Sequence, residues 1–220
     1  LGRSPVLRDL DWELLQGRHW AVAGGNGSGK TTFLRLLRGD IWPDQTGGGR
    51  FYHVDGTKQA SPLGVRQRIG MVSSELQERY LRFEWNIPAL DVVLTGPSDS
   101  PLLYRRPDAQ ERKQALGVMA ELGMEAFKER PFLSLSQGEA RKVLLARALL
   151  AVRMADAAFP PLLLLDEVME GLDKDSRRSL EGLVDQLSSQ ATILASAHRA
   201  SDLPSCLTHS LALEHGRIQS

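Results

Sequence analysis

Residues Gly24-Gly25-Asn26-Gly27-Ser28-Gly29-Lys30-Thr31 follow the spacing G-x-x-x-x-G-K-[ST], and Thr32 continues the run. That spacing suits the wrapping of a triphosphate. Glycines let the main chain come close and present successive N–H groups to phosphate oxygens. A helix that opens directly behind the loop adds the positive end of its dipole. Lys30 is expected to reach the β- and γ-phosphates, and Thr31 to offer a hydroxyl oxygen to Mg²⁺. A second group with chemistry in it is Leu162-Leu163-Leu164-Leu165-Asp166-Glu167, an apolar run that ends in two acids. Alone, such a pair more often just closes a strand. Downstream of a phosphate loop it supplies a Mg²⁺ carboxylate, Asp166, and a general base for water, Glu167.

These residues need elements to hold them. His19 to Ala23 reads as a buried strand leading into the loop, and Phe33, Leu34, Leu36 and Leu37 mark one face of the helix behind it. Gly39 and Pro43 close that helix. Upstream, Leu10, Trp12 and Leu14 alternate with Asp9, Asp11 and Glu13, which predicts a half-buried strand. Phe51 to Val54 and Arg68 to Ser73 read as further strands. From about Leu76 to Arg130 the text turns helical, broken by Pro88, Pro97, Pro101 and Pro107, with Asp108 as a helix cap and Gly123 as a stop. Helix and strand then alternate: a helix from Gln137, a strand over Leu162 to Leu165, a helix from Lys174, and a strand over Thr192 to Ala195. Alternation of this kind predicts an α/β fold with a mostly parallel sheet and crossover helices, interrupted by a helical lobe over about 76–150.

With Leu135-Ser136-Gln137-Gly138-Glu139 and His198 added, the chain resembles the nucleotide-binding domain of the ABC ATPase superfamily, over essentially its whole length. The resemblance implies one domain over 1–220, a P-loop NTPase core with an antiparallel β subdomain, and ATP and Mg²⁺ as its ligands. It also implies head-to-tail pairing with a second such domain, an identical chain or a linked one. Ser136 and the Gly138 backbone would then cap ATP held by the partner, His198 would contact the γ-phosphate, and Asp173 would touch the partner domain. Coupling to a membrane permease follows from the same resemblance. The alternative is an ABC ATPase of repair, translation or regulation without transport. Local text around Val72 to Gln77 and Glu170 to Asp173 is similar to the ATP-binding proteins of molybdate transport or photorepair.

Four positions depart from the family pattern. Gln137 replaces the first glycine of the L-S-G-G-Q signature, and Glu139 replaces its glutamine, placing a negative charge that is expected to weaken nucleotide contact modestly. The family's Q-loop glutamine falls at Ser74, with Glu75 and Gln77 as other candidates. No aromatic stands near Leu1 to stack on adenine.

Composition narrows the rest. In 220 residues, 27 Lys and Arg balance 27 Asp and Glu, so there is no basic field to draw nucleic acid, and none is expected as a partner. A single cysteine, Cys206, excludes an internal disulfide and fits a reducing compartment. The run Pro160 to Leu165 falls far short of the ~20 apolar residues that span a bilayer, and no secretory pattern opens the chain. A cytoplasmic protein is expected, reaching the membrane only through a partner. The start at Leu1 rather than Met is what a trimmed chain would show.

Overall fold

A computed structural model describes residues 6–44, 48–155, 158–199 and 203–219. Its centre is a six-stranded sheet in the order β4-β5-β6-β1-β7-β8. The strands are β1 (Trp20–Ala23), β4 (Ile69–Ser73), β5 (Leu162–Asp166), β6 (Thr192–Ala197), β7 (His209–Glu214) and β8 (Arg217–Gln219). All neighbours run parallel except the β7/β8 hairpin. Every residue of β5 and β6 is buried, as expected for central parallel strands covered on both faces. A separate antiparallel pair, β2 (Tyr52–Val54) and β3 (Thr57–Gln59), forms the small β subdomain.

Helix α1 (Lys30–Arg38) leaves the phosphate loop and ends at Gly39, whose φ of 88° is the left-handed turn that stops it. The helical region contains α2 (Ser74–Arg82), α3 (Ala89–Leu94) and α4 (Ala109–Glu121). Asp108 caps α4 in a reciprocal capping box with Glu111. Helix α5 (Gln137–Met154) packs against α3 and α4 on one side and β4 on the other. Its Val143, Leu144, Leu149 and Leu150 join the helical region to the sheet in one apolar cluster. Helix α6 (Lys174–Leu187) connects β5 to β6 as a crossover.

The expected opening strand is not one. Leu10, Trp12 and Leu14 are half-buried and alternate with exposed Asp11 and Glu13, yet they join no ladder among the described residues. Packing alone satisfies the apolar positions: the Trp12 ring meets Trp20 and Phe33 edge-on, each at 5.2 Å between centroids. The chain beyond β6 holds a hairpin that the sequence reading did not place, β7 to β8 around His215 and Gly216.

Candidate functional site

The site forms at the carboxyl ends of β5, β6 and β1, where open parallel sheets receive ligands. Strand β6 lies between the other two, and the register pairs Asp166 with Ser196 and Ala23 with Ala197. The phosphate loop therefore leaves β1 beside the acids that end β5.

Within the loop, Gly25, Asn26 and Gly27 are exposed, whereas Ser28 and Lys30 are buried. Gly24 is packed too closely for any side chain: a Cβ there would run into the Leu213 carbonyl and Ser28 Oγ. Gly29 caps α1 with φ at 107°, a conformation L side chains rarely adopt. Lys30 Nζ donates to the carbonyl oxygens of Gly24 at 2.9 Å and Gly25 at 3.2 Å. The same ammonium lies 3.2 Å from Glu167 Oε1. Ser28 Oγ is buried without a hydrogen-bond partner, an orphaned polar atom in the throat of the loop. Thr31 and Thr32 follow in the first turn of α1, both half-buried.

Asp166 is buried at the end of β5, and its Oδ1 accepts a hydrogen bond of 2.6 Å from Ser196 Oγ. Glu167, next along, has φ at 54°, and its N–H donates to both the Ser196 carbonyl and Ser196 Oγ, each at 3.2 Å. His198 comes off the end of β6 with Nε2 3.0 Å from Glu167 Oε1 and 3.9 Å from Glu170 Oε2. Lys30, Glu167 and His198 thus form one polar chain. Ser196 was missed. Its only signal is its place two residues before His198 in a strand, and its partner Asp166 becomes visible only with the strand register.

The segment around Ser136 lies against the loop after β5 and the start of α6, with Gln137 beside Gly171. Ser136 caps α5, accepting from Glu139 N–H at 3.2 Å, while its own N–H donates to Glu139 Oε2 at 2.7 Å. Ser136 is exposed. Gly138 is buried against α6, where a Cβ would stand 2.6 Å from Ser176 Oγ. The negative charge expected at Glu139 is a paired one. Arg130 forks onto both Glu139 oxygens at 2.7 and 3.1 Å, and the capping box uses the carboxylate as well. Those Arg130 bonds hold the Glu139 carboxyl below its usual range against the opposing effect of burial, with the Ser136 N–H adding to the lowering.

The Q-loop candidates part company. Ser74 opens α2 directly after β4, Glu75 is ion-paired with Arg35 of α1, and Gln77 buries an Oε1 with no partner. Asp173 caps α6 through the Asp175 and Ser176 N–H groups at 3.0 and 2.9 Å. Residues 1–5, where an adenine-stacking aromatic was sought, lie outside the described residues.

A sequence profile of the ABC transporter family matches residues 7–170. The chain belongs to this family. It is an ABC-type ATP-hydrolysing cassette, 34% identical over 218 residues to a Streptococcus mutans protein provisionally named an ABC transporter ATP-binding protein. That match covers 97% of this chain and 78% of the relative. The Escherichia coli ABC transporter ATP-binding protein ModF is 33% identical over 94% of this chain, which spans 41% of ModF. Among solved ABC cassettes, a dimeric post-hydrolysis form bound to ADP and Pi shares the fold, with a TM-score of 0.74 at 21% identity over 98% of this chain and 89% of that one.

Proposed function

We propose that this ABC cassette, a single domain over 1–220 with its helical lobe at about 76–150, hydrolyses ATP at a site shared between two copies or two linked domains. The observation that carries the reading is the polar chain Lys30–Glu167–His198 at the mouth of the phosphate loop. Loop N–H groups of Gly25 to Lys30 bind the phosphates. Lys30 exchanges Glu167 for phosphate oxygen, each charge-assisted bond contributing roughly 1.5–3 kcal/mol. Glu167, freed from Lys30, takes a proton from the attacking water, and His198 orients that water from the β6 side.

The residues present fit Mg²⁺. Asp166 and Thr31 supply carboxylate and hydroxyl oxygens, the hard donors that ion takes, from β5 and the helix α1 packed on it. Bound there, the ion would neutralise charge on the β- and γ-phosphates. Ser196 holds Asp166 in place for it.

Ser136 and the Gly138 backbone serve the partner's nucleotide. Support comes from their position: Ser136 is exposed at the head of an 18-residue helix, outside the Lys30–Glu167–His198 chain of its own domain. The test mixes Ser136→Arg protein with Lys30→Ala protein. Each mixed dimer then holds one intact composite site, so activity returns to at most half of wild type. Full activity of either variant alone would sink the shared-site reading.

The names of the relatives support an energising role for a membrane transporter, with a permease as partner. No described helix is long and apolar enough to cross a membrane. One observation favours the non-transport reading: Glu75, beside the family's Q-loop position, is tied to Arg35. Co-purification of the full chain with or without a permease separates the two.

A further inference from the structure

Glu170 has no task in the hydrolysis described above, yet it stands against two residues that do. Its side chain is 57% exposed in the loop after β5, with Oε2 3.9 Å from His198 Nε2. Glu167 Oε1 is 3.0 Å from the same nitrogen. One donor atom from each of Glu167, Glu170 and His198 lies within 4.8 Å of the other two. Around a four-coordinate ion with bonds of about 2.0–2.1 Å, neighbouring donors are about 3.3 Å apart. The 3.0 Å edge needs to open slightly and the 3.9 Å edge to close slightly. The exposed Glu170 side chain is the one free to make that adjustment, because Glu167 is held by Ser196 through its backbone and His198 follows a buried strand.

We propose that Glu167, Glu170 and His198 form a Zn²⁺ site that, when filled, withholds Glu167 and His198 from ATP hydrolysis. The donor set decides the ion. One imidazole nitrogen and two carboxylates suit Zn²⁺, with water in the fourth position, whereas Mg²⁺ prefers six oxygens and keeps its waters. Two carboxylates balance the dipositive charge. Lys30 loses its Glu167 partner to the ion but keeps the Gly24 and Gly25 carbonyls, and so stays at the loop to meet phosphate. Zinc therefore lowers turnover while leaving nucleotide binding largely in place. The inhibitory half of the proposal rests on Glu167 and His198 acting in hydrolysis; the binding half does not.

The test is calorimetric titration of the nucleotide-free chain with zinc chloride, followed by phosphate release with and without zinc. One ion per chain is expected. Glu170→Gln should weaken its binding by more than about tenfold, and His198→Asn should abolish it. Zinc that halves wild-type turnover should leave Glu170→Gln at nearly its own zinc-free rate. No stoichiometric binding, or binding indifferent to both substitutions, overturns the site. Site-specific binding that leaves wild-type turnover unchanged overturns the inhibition. A wild-type chain inactive without zinc would instead count against the hydrolytic reading, with the titration still deciding the site.

Discussion

Lys30 Nζ and Glu167 Oε1 lie 3.2 Å apart, so the phosphate-loop cation is paired directly with the acid that follows β5. Only 4% of the Lys30 side chain is exposed, so the ammonium needs partners wherever it sits. ATP competes for it with Glu167 and two loop carbonyls. Replacing Lys30 with Ala removes the cation that phosphate would gain. Affinity for ATP should fall by about 10–100-fold, one to two decades for roughly 1.5–3 kcal/mol. Calorimetry reads this directly, and unchanged affinity would refute the phosphate-loop assignment.

Glu167→Gln separates binding from chemistry. The amide keeps size and hydrogen bonding but cannot accept the water proton, so turnover should drop by roughly 10²–10⁴-fold. Affinity for ATP–Mg²⁺ should hold or rise, since a negative charge leaves the neighbourhood of a polyanion. Unhydrolysed ATP should then keep two domains together, visible as a dimer in gel filtration with ATP and a monomer without. Wild-type hydrolysis by the variant would move the base elsewhere, with His198 next in line.

Ser196→Ala removes the 2.6 Å hydrogen bond to Asp166 and one acceptor of the Glu167 N–H. If Asp166 serves Mg²⁺, loss of this supporting contact should raise the Mg²⁺ concentration needed for half-maximal activity by about 10–100-fold. A lowered maximal rate with an unchanged Mg²⁺ requirement would assign Ser196 to Glu167 instead.

Acid should loosen the head of α5. The Glu139 carboxyl is held below its usual range by Arg130, so its contribution to stability is complete above the unfolded value of about 4.3. That contribution is lost as pH falls through the lower, folded value. Protection of the first-turn amides of α5, taken relative to their intrinsic exchange rate at each pH, should therefore fall below about pH 4.3. In Glu139→Gln that protection should already be lower at neutral pH and change little in acid. Equal acid dependence in both proteins would show that the Arg130–Glu139 pair does not hold this turn.

Much of the site was legible because its determinants are local. The phosphate loop, the acids after Leu165 and the helix starts at Gln137 and Lys174 depend on neighbours a few positions away. What the sequence hid was pairing between distant segments. Ser196 matters because β5 and β6 set it opposite Asp166, and no spacing announces that register. The partner of Glu139 was hidden in the same way, because Arg130 meets it only when the turn before α5 brings them together. Leu10, Trp12 and Leu14 misled in the opposite sense: a half-buried alternation records which side of the chain is covered, not whether a neighbouring strand exists.

Glu167 holds a left-handed backbone at φ 54°, a conformation costing a residue with a side chain about 1–2 kcal/mol relative to the ordinary helical region. Glycine would relieve that strain, and position 167 is therefore a place where durability and turnover pull in opposite directions. A library of this chain screened only for heat resistance should enrich glycine or asparagine there and return cassettes that outlast the parent while turning over far more slowly. Screened for turnover, the same library should keep the acid and recover its losses in distant helices. The strained bend is thus a small standing debt in the fold, carried where the carboxylate faces the Lys30 ammonium.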